Sequence, residues 1–299
     1  MFKLTEKHAL SIAPLIYLIV LFLLPTIIMV FIAFRIPGSY GGVEPLIGKT
    51  PTHTAINLSL DSIKFALSNP FIWQLFLRSM GYSLITTLCC LILGYPLAMM
   101  IAKSSKKHRD FLLLLIIIPF WSCFLIRVYA WMIILGPDSA VNHAINYIIQ
   151  LLGFSPINLL YSSLAVVVCL VYINLPFMIL PLYANLEKHD NALIEASRDL
   201  GASRAQSFWK ITVPLSMPGI LAGAALVFIP SIGMFVIPEL VGNNCSLMIG
   251  NLIKQQFLQT MNWPLGSITA IIMTVSVLAI SLLIGILASK MNGLKYANK

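Results

Sequence analysis

The sequence predicts an all-α polytopic membrane protein with six transmembrane helices and both termini on the cytoplasmic side. Three observations predict it. Of 299 residues, 59% are hydrophobic and only 10% carry a full charge, against roughly 25% charged in soluble domains. Six stretches reach the ~20 mostly apolar residues needed to cross a bilayer. The basic residues fall unequally between the segments that join those stretches. A soluble globular protein is excluded, and so is a disordered chain, which needs high charge and low hydrophobicity.

The expected spans are residues 9–34, 79–102, 111–135, 159–186, 215–240 and 265–289. Lys3 and Lys7 precede the first, as in a signal peptide. Its apolar run is much longer than the roughly 7–15 residues of a signal core, so it reads as an uncleaved helix. With the N-terminus inside, thirteen of the 19 basic residues fall on the cytoplasmic side: Lys3, Lys7, Lys103, Lys106, Lys107, Arg109, Lys188, Arg198, Arg204, Lys210, Lys290, Lys295 and Lys299. Five fall outside, at Arg35, Lys49, Lys64, Arg78 and Lys254, and Arg127 lies within the third span. That is the positive-inside bias. The net charge of +9 is thereby a topology signal and calls for no nucleic acid.

Two outer segments are long, residues 35–78 and 241–264. In the first, Pro70 suits the first turn of a helix. Phe71, Trp73, Phe76 and Leu77 suit an interfacial helix leading into the second span. The rest of that segment is rich in Gly, Pro and Thr and reads as loop.

Several apparent motifs dissolve on inspection. Gly42 to Thr50 resembles a phosphate-binding loop, but five residues separate its glycines where the pattern needs four, and Pro45 interrupts it. The chain is expected not to hydrolyse ATP itself. His8, His53, His108, His143 and His189 all fall in loops or tails, which leaves no base for an intramembrane serine nucleophile and no histidine metal site within the spans. Four of the five cysteines (Cys89, Cys90, Cys123, Cys169) lie in apolar runs without a C-x-x-C pair, so neither a disulfide framework nor zinc is indicated. Asn57-Leu58-Ser59 is a chance sequon.

Residues 187–213 differ from the other loops. Leu193, Ala196 and Leu200 recur at helical spacing. Gly201 stands where a helix stops in the left-handed conformation. Ser203 with Gln206 forms a capping box that starts a second short helix. Phe208, Trp209 and Ile211 give that helix apolar bulk, and Pro214 is expected to close it. A membrane-lying connector and a docking helix for a soluble partner's groove both suit this pattern.

The spacing Glu195-Ala196-Ser197, three residues, Gly201, nine residues, Ile211, one residue, Val213-Pro214 resembles the EAA loop of ABC-importer permeases. Their pattern has Ala where Ser197 stands and Leu where Val213 stands. The likeness extends to Leu93-Gly94-Tyr95-Pro96-Leu97-Ala98, Ile118-Pro119-Phe120-Trp121, Leu125-Ile126-Arg127-Val128-Tyr129, Leu175-Pro176-Phe177-Met178, Met217-Pro218-Gly219-Ile220 and Leu247-Met248-Ile249-Gly250-Asn251. Together these are similar to the permeases of spermidine/putrescine importers.

The resemblance implies a type I ABC importer permease fold, one transmembrane domain over residues 1–299, with a cytoplasmic coupling loop at 187–214 in a bacterial inner membrane. It implies a non-catalytic subunit without cofactors. Its partners would be a second homologous permease, two ATPase subunits, a periplasmic polyamine-binding protein and the lipid bilayer. Glu195, Ala196, Ser197, Leu200, Gly201, Ile211 and Pro214 would couple to the ATPase. A polyamine needs carboxylates, carbonyls and aromatic faces along its route. The candidates at membrane depth are Glu239, Asn174, Tyr172, Trp121, Tyr129 and Asp138. Glu239 follows Pro230, Gly233 and Pro238, which are expected to break the fifth span where it lines a cavity. Arg127 would repel a polycation and is expected to pair with a carboxylate such as Glu239 or to anchor at the outer interface. Because the coupling loop does not choose cargo, a permease for another cation, an amino acid or an anion is the alternative. A membrane-embedded enzyme and an ATP-independent carrier fit less well, the one for want of a clustered base, the other for want of an internal repeat.

Overall fold

A computed structural model describes residues 3–49 and 54–297; Thr50, His53 and Lys299 lie outside these. The chain divides into two compact units, Met1–Gln74 with Leu252–Val275 and Leu75–Asn251 with Ser276–Lys299. Among the described residues, five helices are long and apolar enough to cross a membrane, and a sharply bent helix pair makes a sixth.

The first unit begins with α1 (Lys3–Ala33). Its residues 15–24 are all exposed apolar side chains, the pattern of a helix whose solvent is lipid rather than protein. Just after it, Arg35 is only 6% exposed. Its guanidinium lies over the Phe31 ring at 5.5 Å and donates to the Glu44 carbonyl. The segment read as loop is more ordered than its composition predicts. It contains a short antiparallel hairpin, β1 (Ile47–Lys49) and β2 (Thr54–Ile56), with Ile47 opposite Ile56. Gly42 donates to the Met261 carbonyl at 2.7 Å. Then come α2 (Asp61–Ser68) and the start of α3 (Pro70–Lys103). The Asn69 side chain caps α3 by accepting from the Phe71 N–H at 2.9 Å. The expected interfacial helix and second span are thus one helix of 34 residues. At ~1.5 Å per residue it is about 50 Å long, well beyond a hydrocarbon core of roughly 30 Å.

In the second unit the third span differs most from expectation. It is not continuous over 111–135. α4 (Lys106–Ile117) runs into a 3₁₀ turn at Ile118–Trp121, and α5 (Phe124–Leu135) leaves at 94°. Pro119 opens the turn without a backbone donor. Ser122 then adopts extended backbone, and its hydroxyl donates to the Pro119 carbonyl at 2.7 Å. Next is α6 (Ala140–Leu151), capped by Ser139, which the sequence reading did not anticipate. The fourth span is α7 (Ser163–Leu186), whose N-terminus is capped by the Ser162 hydroxyl.

Beyond α7 lie α8 (Asn191–Asp199), α9 (Arg204–Ser207), a π turn at Phe208–Thr212 and α10 (Val213–Ile232). Pro214 closes nothing: Arg204 to Ile232 is one helical span of 29 residues. The wider π turn relieves the clash that a proline ring makes with the carbonyl four residues before it. At the other end, α10 stops at Gly233 and α11 (Val236–Val241) starts anew, so the break near Pro230, Gly233 and Pro238 is real. α12 (Ile249–Leu258) and α13 (Trp263–Ala297) complete the chain, and both cross from one unit to the other.

Among the described residues, two apolar clusters hold the second unit. One joins Val128 of α5, Val166, Leu170 and Ile173 of α7, and Ile237 and Val241 of α11. The other joins Cys90 and Ile101 of α3, Met178, Ile179 and Leu182 of α7, and Val227 of α10. α7 belongs to both and is the central post of this unit. Its backbone meets α10 closely because Gly219 and Gly223, one turn apart, offer no side chain there.

Candidate functional site

The segment between α7 and α10 folds as a two-armed elbow. Asp190 starts the first arm, α8, by accepting from the Ala192 N–H at 3.0 Å. The arm ends at Leu200, and Gly201 takes φ +85°, the left-handed region that favours glycine. Its N–H reaches the Arg198 carbonyl at 2.9 Å, and the Ala202 N–H reaches the Ser197 carbonyl at 3.0 Å. Orphan carbonyls of α8 are thereby satisfied. Both halves of the capping box then form: the Gln206 N–H donates to Ser203 Oγ at 3.2 Å, and the Ser203 N–H donates to Gln206 Oε1 at 2.9 Å.

A clasp across the elbow escaped the sequence reading. The Ser197 and Ser207 hydroxyls lie 2.7 Å apart, and Ser207 is buried. Ser197 also donates to the Ile194 carbonyl at 2.7 Å. The serine that departs from the expected alanine therefore ties one arm to the other. Spacing gave no signal for Ser207, since its partner lies on the opposite arm.

The second arm is anchored to α3. Phe208 meets Tyr95 edge-to-face at 5.6 Å, and the Tyr95 and Ser216 hydroxyls are 2.9 Å apart. Several of the other apolar side chains face outward. Leu200 is 89% exposed, Trp209 68%, and Leu193 and Ala196 are exposed as well. Glu195 and Pro214 are exposed and Ile211 is half-buried. A rigid elbow with apolar side chains on its outside presents an uncovered contact surface.

The residues proposed at membrane depth are dispersed. α5, α7 and α11 pack together, so the elements carrying Arg127 and Tyr129, Tyr172 and Asn174, and Glu239 converge. Asn174 itself is 2% exposed and donates to the Leu170 carbonyl of its own helix at 2.8 Å. Tyr172 stacks edge-on against Trp131 at 5.4 Å. Glu239 is exposed on α11. Trp121, at the bend, is 79% exposed, and Tyr129 and Asp138 are also exposed. Arg127 has its guanidinium over the Phe120 ring at 5.3 Å, and Phe120 in turn meets Phe177 at 5.3 Å. A cation–π seat is thus the contact seen for it, which spacing could not reveal.

The profile of the family described as binding-protein-dependent transport system inner membrane component matches residues 94–293. The chain belongs to this family of inner-membrane permeases. The permease is 44% identical over 227 residues to the "Spermidine/putrescine transport system permease protein PotB" of Escherichia coli (strain K12), a match covering 75% of the permease and 81% of that protein. It is 45% identical over 211 residues to the protein of the same name from Haemophilus influenzae, covering 70% and 72%. Among solved structures it resembles a chain of a bacterial ABC transporter that imports the acidic polysaccharide alginate. There the TM-score is 0.64 at 18% identity, with 96% of each chain covered. A chain of the MetNI methionine ABC transporter gives TM-score 0.55 at 19% identity, covering 75% of the permease and 99% of that chain. These two likenesses establish the ABC-importer permease fold. The elbow lies wholly inside the family match.

Proposed function

We propose that this permease is the transmembrane subunit of an ATP-driven importer for the polyamines spermidine and putrescine. The observation that carries the reading is its 44% identity, over 81% of the relative's length, to a permease named for that transport system. Both termini and the elbow lie on the cytoplasmic side, in keeping with the distribution of Lys and Arg. A second homologous permease completes the pathway, two ATPase subunits bind inside, and a periplasmic polyamine-binding protein delivers cargo outside. The whole chain acts as one transmembrane domain, with residues 187–214 as its coupling loop.

In this mechanism the elbow is the handle. Leu200, Ala196 and Leu193 fill a groove on the ATPase, and Glu195 pairs with a basic or amide group there. Ser197 serves from within, holding the two arms at a fixed angle. Gly201 supplies the turn, and Ile211 and Pro214 carry motion into α10. When ATP closes the ATPase pair, the handles move together and the cavity opens outward; hydrolysis resets it. Two sites are thus coupled through one two-state element. Along the pathway Glu239 supplies the negative charge. Trp121, Tyr129 and Tyr172 offer aromatic faces, Asp138 guards the entrance, and Asn174 braces α7.

The test is uptake by the assembled importer in proteoliposomes, with ATP and the cognate binding protein. Labelled spermidine is expected to accumulate and to be competed by putrescine, not by amino acids or alginate oligosaccharides. Accumulation of another solute class, with none of polyamine, would overturn the cargo assignment. Glu239→Gln is expected to lower polyamine uptake about tenfold or more, the scale of about 1.5–3 kcal/mol for one charged hydrogen bond. Unchanged uptake removes Glu239 from the pathway.

A further inference from the structure

We propose that a basic cavity beneath the elbow holds the phosphate headgroup of an anionic phospholipid. The cavity has a volume of about 600 Å³ and lies where the ends of α3 and α7 meet α8, α9 and the π turn. Its lining divides by chemistry. Met99, Leu186 and Phe208 supply apolar wall, while Lys103, Arg198 and Arg204 supply cations. These three charges come from three different elements, α3, α8 and α9. Glu187 also lines the space, but its carboxylate is committed to Arg109 at 2.5 Å. The charge that faces the cavity is therefore positive.

A small soluble anion would need only the cations. A phospholipid presents a phosphate at the tip of an apolar body, and this cavity offers both surfaces together. Part of its apolar wall is made of span ends, Met99 on α3 and Leu186 on α7. Lys103 ends α3, and Arg198 and Arg204 stand on the elbow that follows α7. Basic pockets between transmembrane helices on the cytoplasmic side suit such headgroups. A bound headgroup bridges Lys103 on the span to Arg198 and Arg204 on the elbow, and so stiffens the attachment of the handle to α3. The inference rests on the cytoplasmic placement of the elbow proposed above. Lys103 lies outside the elbow and gives a separate handle on the lipid.

The experiment uses the full-length permease assembled with its partners, in nanodiscs of phosphatidylcholine containing phosphatidylglycerol, with native mass spectrometry after extraction. The wild type is expected to retain phosphatidylglycerol. Lys103→Gln is expected to weaken retention roughly fivefold, the worth of one basic group near an anionic surface, and K103Q/R198Q/R204Q to abolish it. Equal retention by wild type and triple variant would overturn the proposal. So would displacement by glycerol phosphate as effective as by intact phosphatidylglycerol, which would assign the site to free phosphate. A crosslinker on Lys103→Cys that captures the ATPase in place of lipid would also overturn it, by assigning the cavity to protein docking. Co-purification of the ATPase is scored in the same samples. Its absence from the wild type counts against the elbow as handle, whereas the retained lipid reports on the cavity alone.

Discussion

Gly201→Val is expected to abolish uptake while leaving the permease folded and in the membrane. The reason is local. Gly201 sits at φ +85°, where a β-branched residue is a genuine outlier. An added Cβ would meet nothing within 4 Å, so the substitution acts through backbone conformation alone and not through a clash. Strain of this kind is on the order of 1–3 kcal/mol, and the elbow can relieve it only by changing the angle between its arms. That breaks the 2.7 Å contact of Ser197 with Ser207 and alters the surface proposed to fit the ATPase groove. Gly201→Asn separates conformation from composition, because asparagine tolerates the left-handed region. It is expected to keep most of the uptake. The measurements are ATPase co-purification, ATP hydrolysis stimulated by the loaded binding protein, and polyamine accumulation in proteoliposomes. Full transport by the valine variant would show that the turn at Gly201 transmits nothing.

The elbow was legible in the sequence because its chemistry is local. Gly201, Ser203 and Gln206 act on backbone groups within a few residues, and such signals survive without tertiary knowledge; Asp190 caps α8 in the same local way. The spans were legible for a different reason: lipid fixes their length and strips them of charge. What failed depended on context. Pro14, Pro25, Pro176 and Pro181 all sit inside continuous helices, whereas Pro119 breaks one. The ring is the same in each case; at Pro119 the hydroxyl and the N–H of Ser122 both turn back on the proline's own carbonyl. Pro214 misled in the opposite sense, because the wider π turn ahead of it leaves room for the ring. The hairpin before α2 has no period of its own to read, and its segment is pinned by Gly42 to Met261, more than two hundred residues away. At the candidate site the same division holds. Glu195 and Ala196 lie on one short helix with Leu200 at its C-terminal cap, but the clasp at Ser207 and the seat of Arg127 on Phe120 join residues whose spacing says nothing about contact.

The α7–α10 contact supplies the second large effect, and it separates two glycines that the sequence shows as equivalent. A Cβ on Gly219 would lie 2.7 Å from the Asn185 Cβ and 3.1 Å from the Pro181 carbonyl oxygen. Comfortable carbon–carbon separation is roughly 3.5–4.0 Å, and both neighbours are fixed to the α7 backbone. A Cβ on Gly223 would lie 2.8 Å from Met178 Sδ, which a flexible side chain can move, and 3.2 Å from the Met178 carbonyl oxygen, so the difference from Gly219 lies in the side-chain contact. Gly219→Ala can be accommodated only by pushing two spans apart, so it is expected to destabilise by the upper part of the roughly 1–3 kcal/mol range for overpacking. Gly223→Ala is expected to fall at the lower end. A double-mutant cycle sharpens the point. Met178 is fully buried, so Met178→Ala alone opens a cavity, yet in the Gly223→Ala background it also removes the closest obstruction. The two changes are expected to couple favourably by ~0.5 kcal/mol or more, as residues in contact do. Thermal unfolding midpoints of the detergent-solubilised permease test this ordering. Equal midpoints for Gly219→Ala and wild type would mean that the two helices are not held at the separation their backbones show. In that case α10 is not a stiff lever behind the elbow, and motion of the handle would have to reach the pathway by another element.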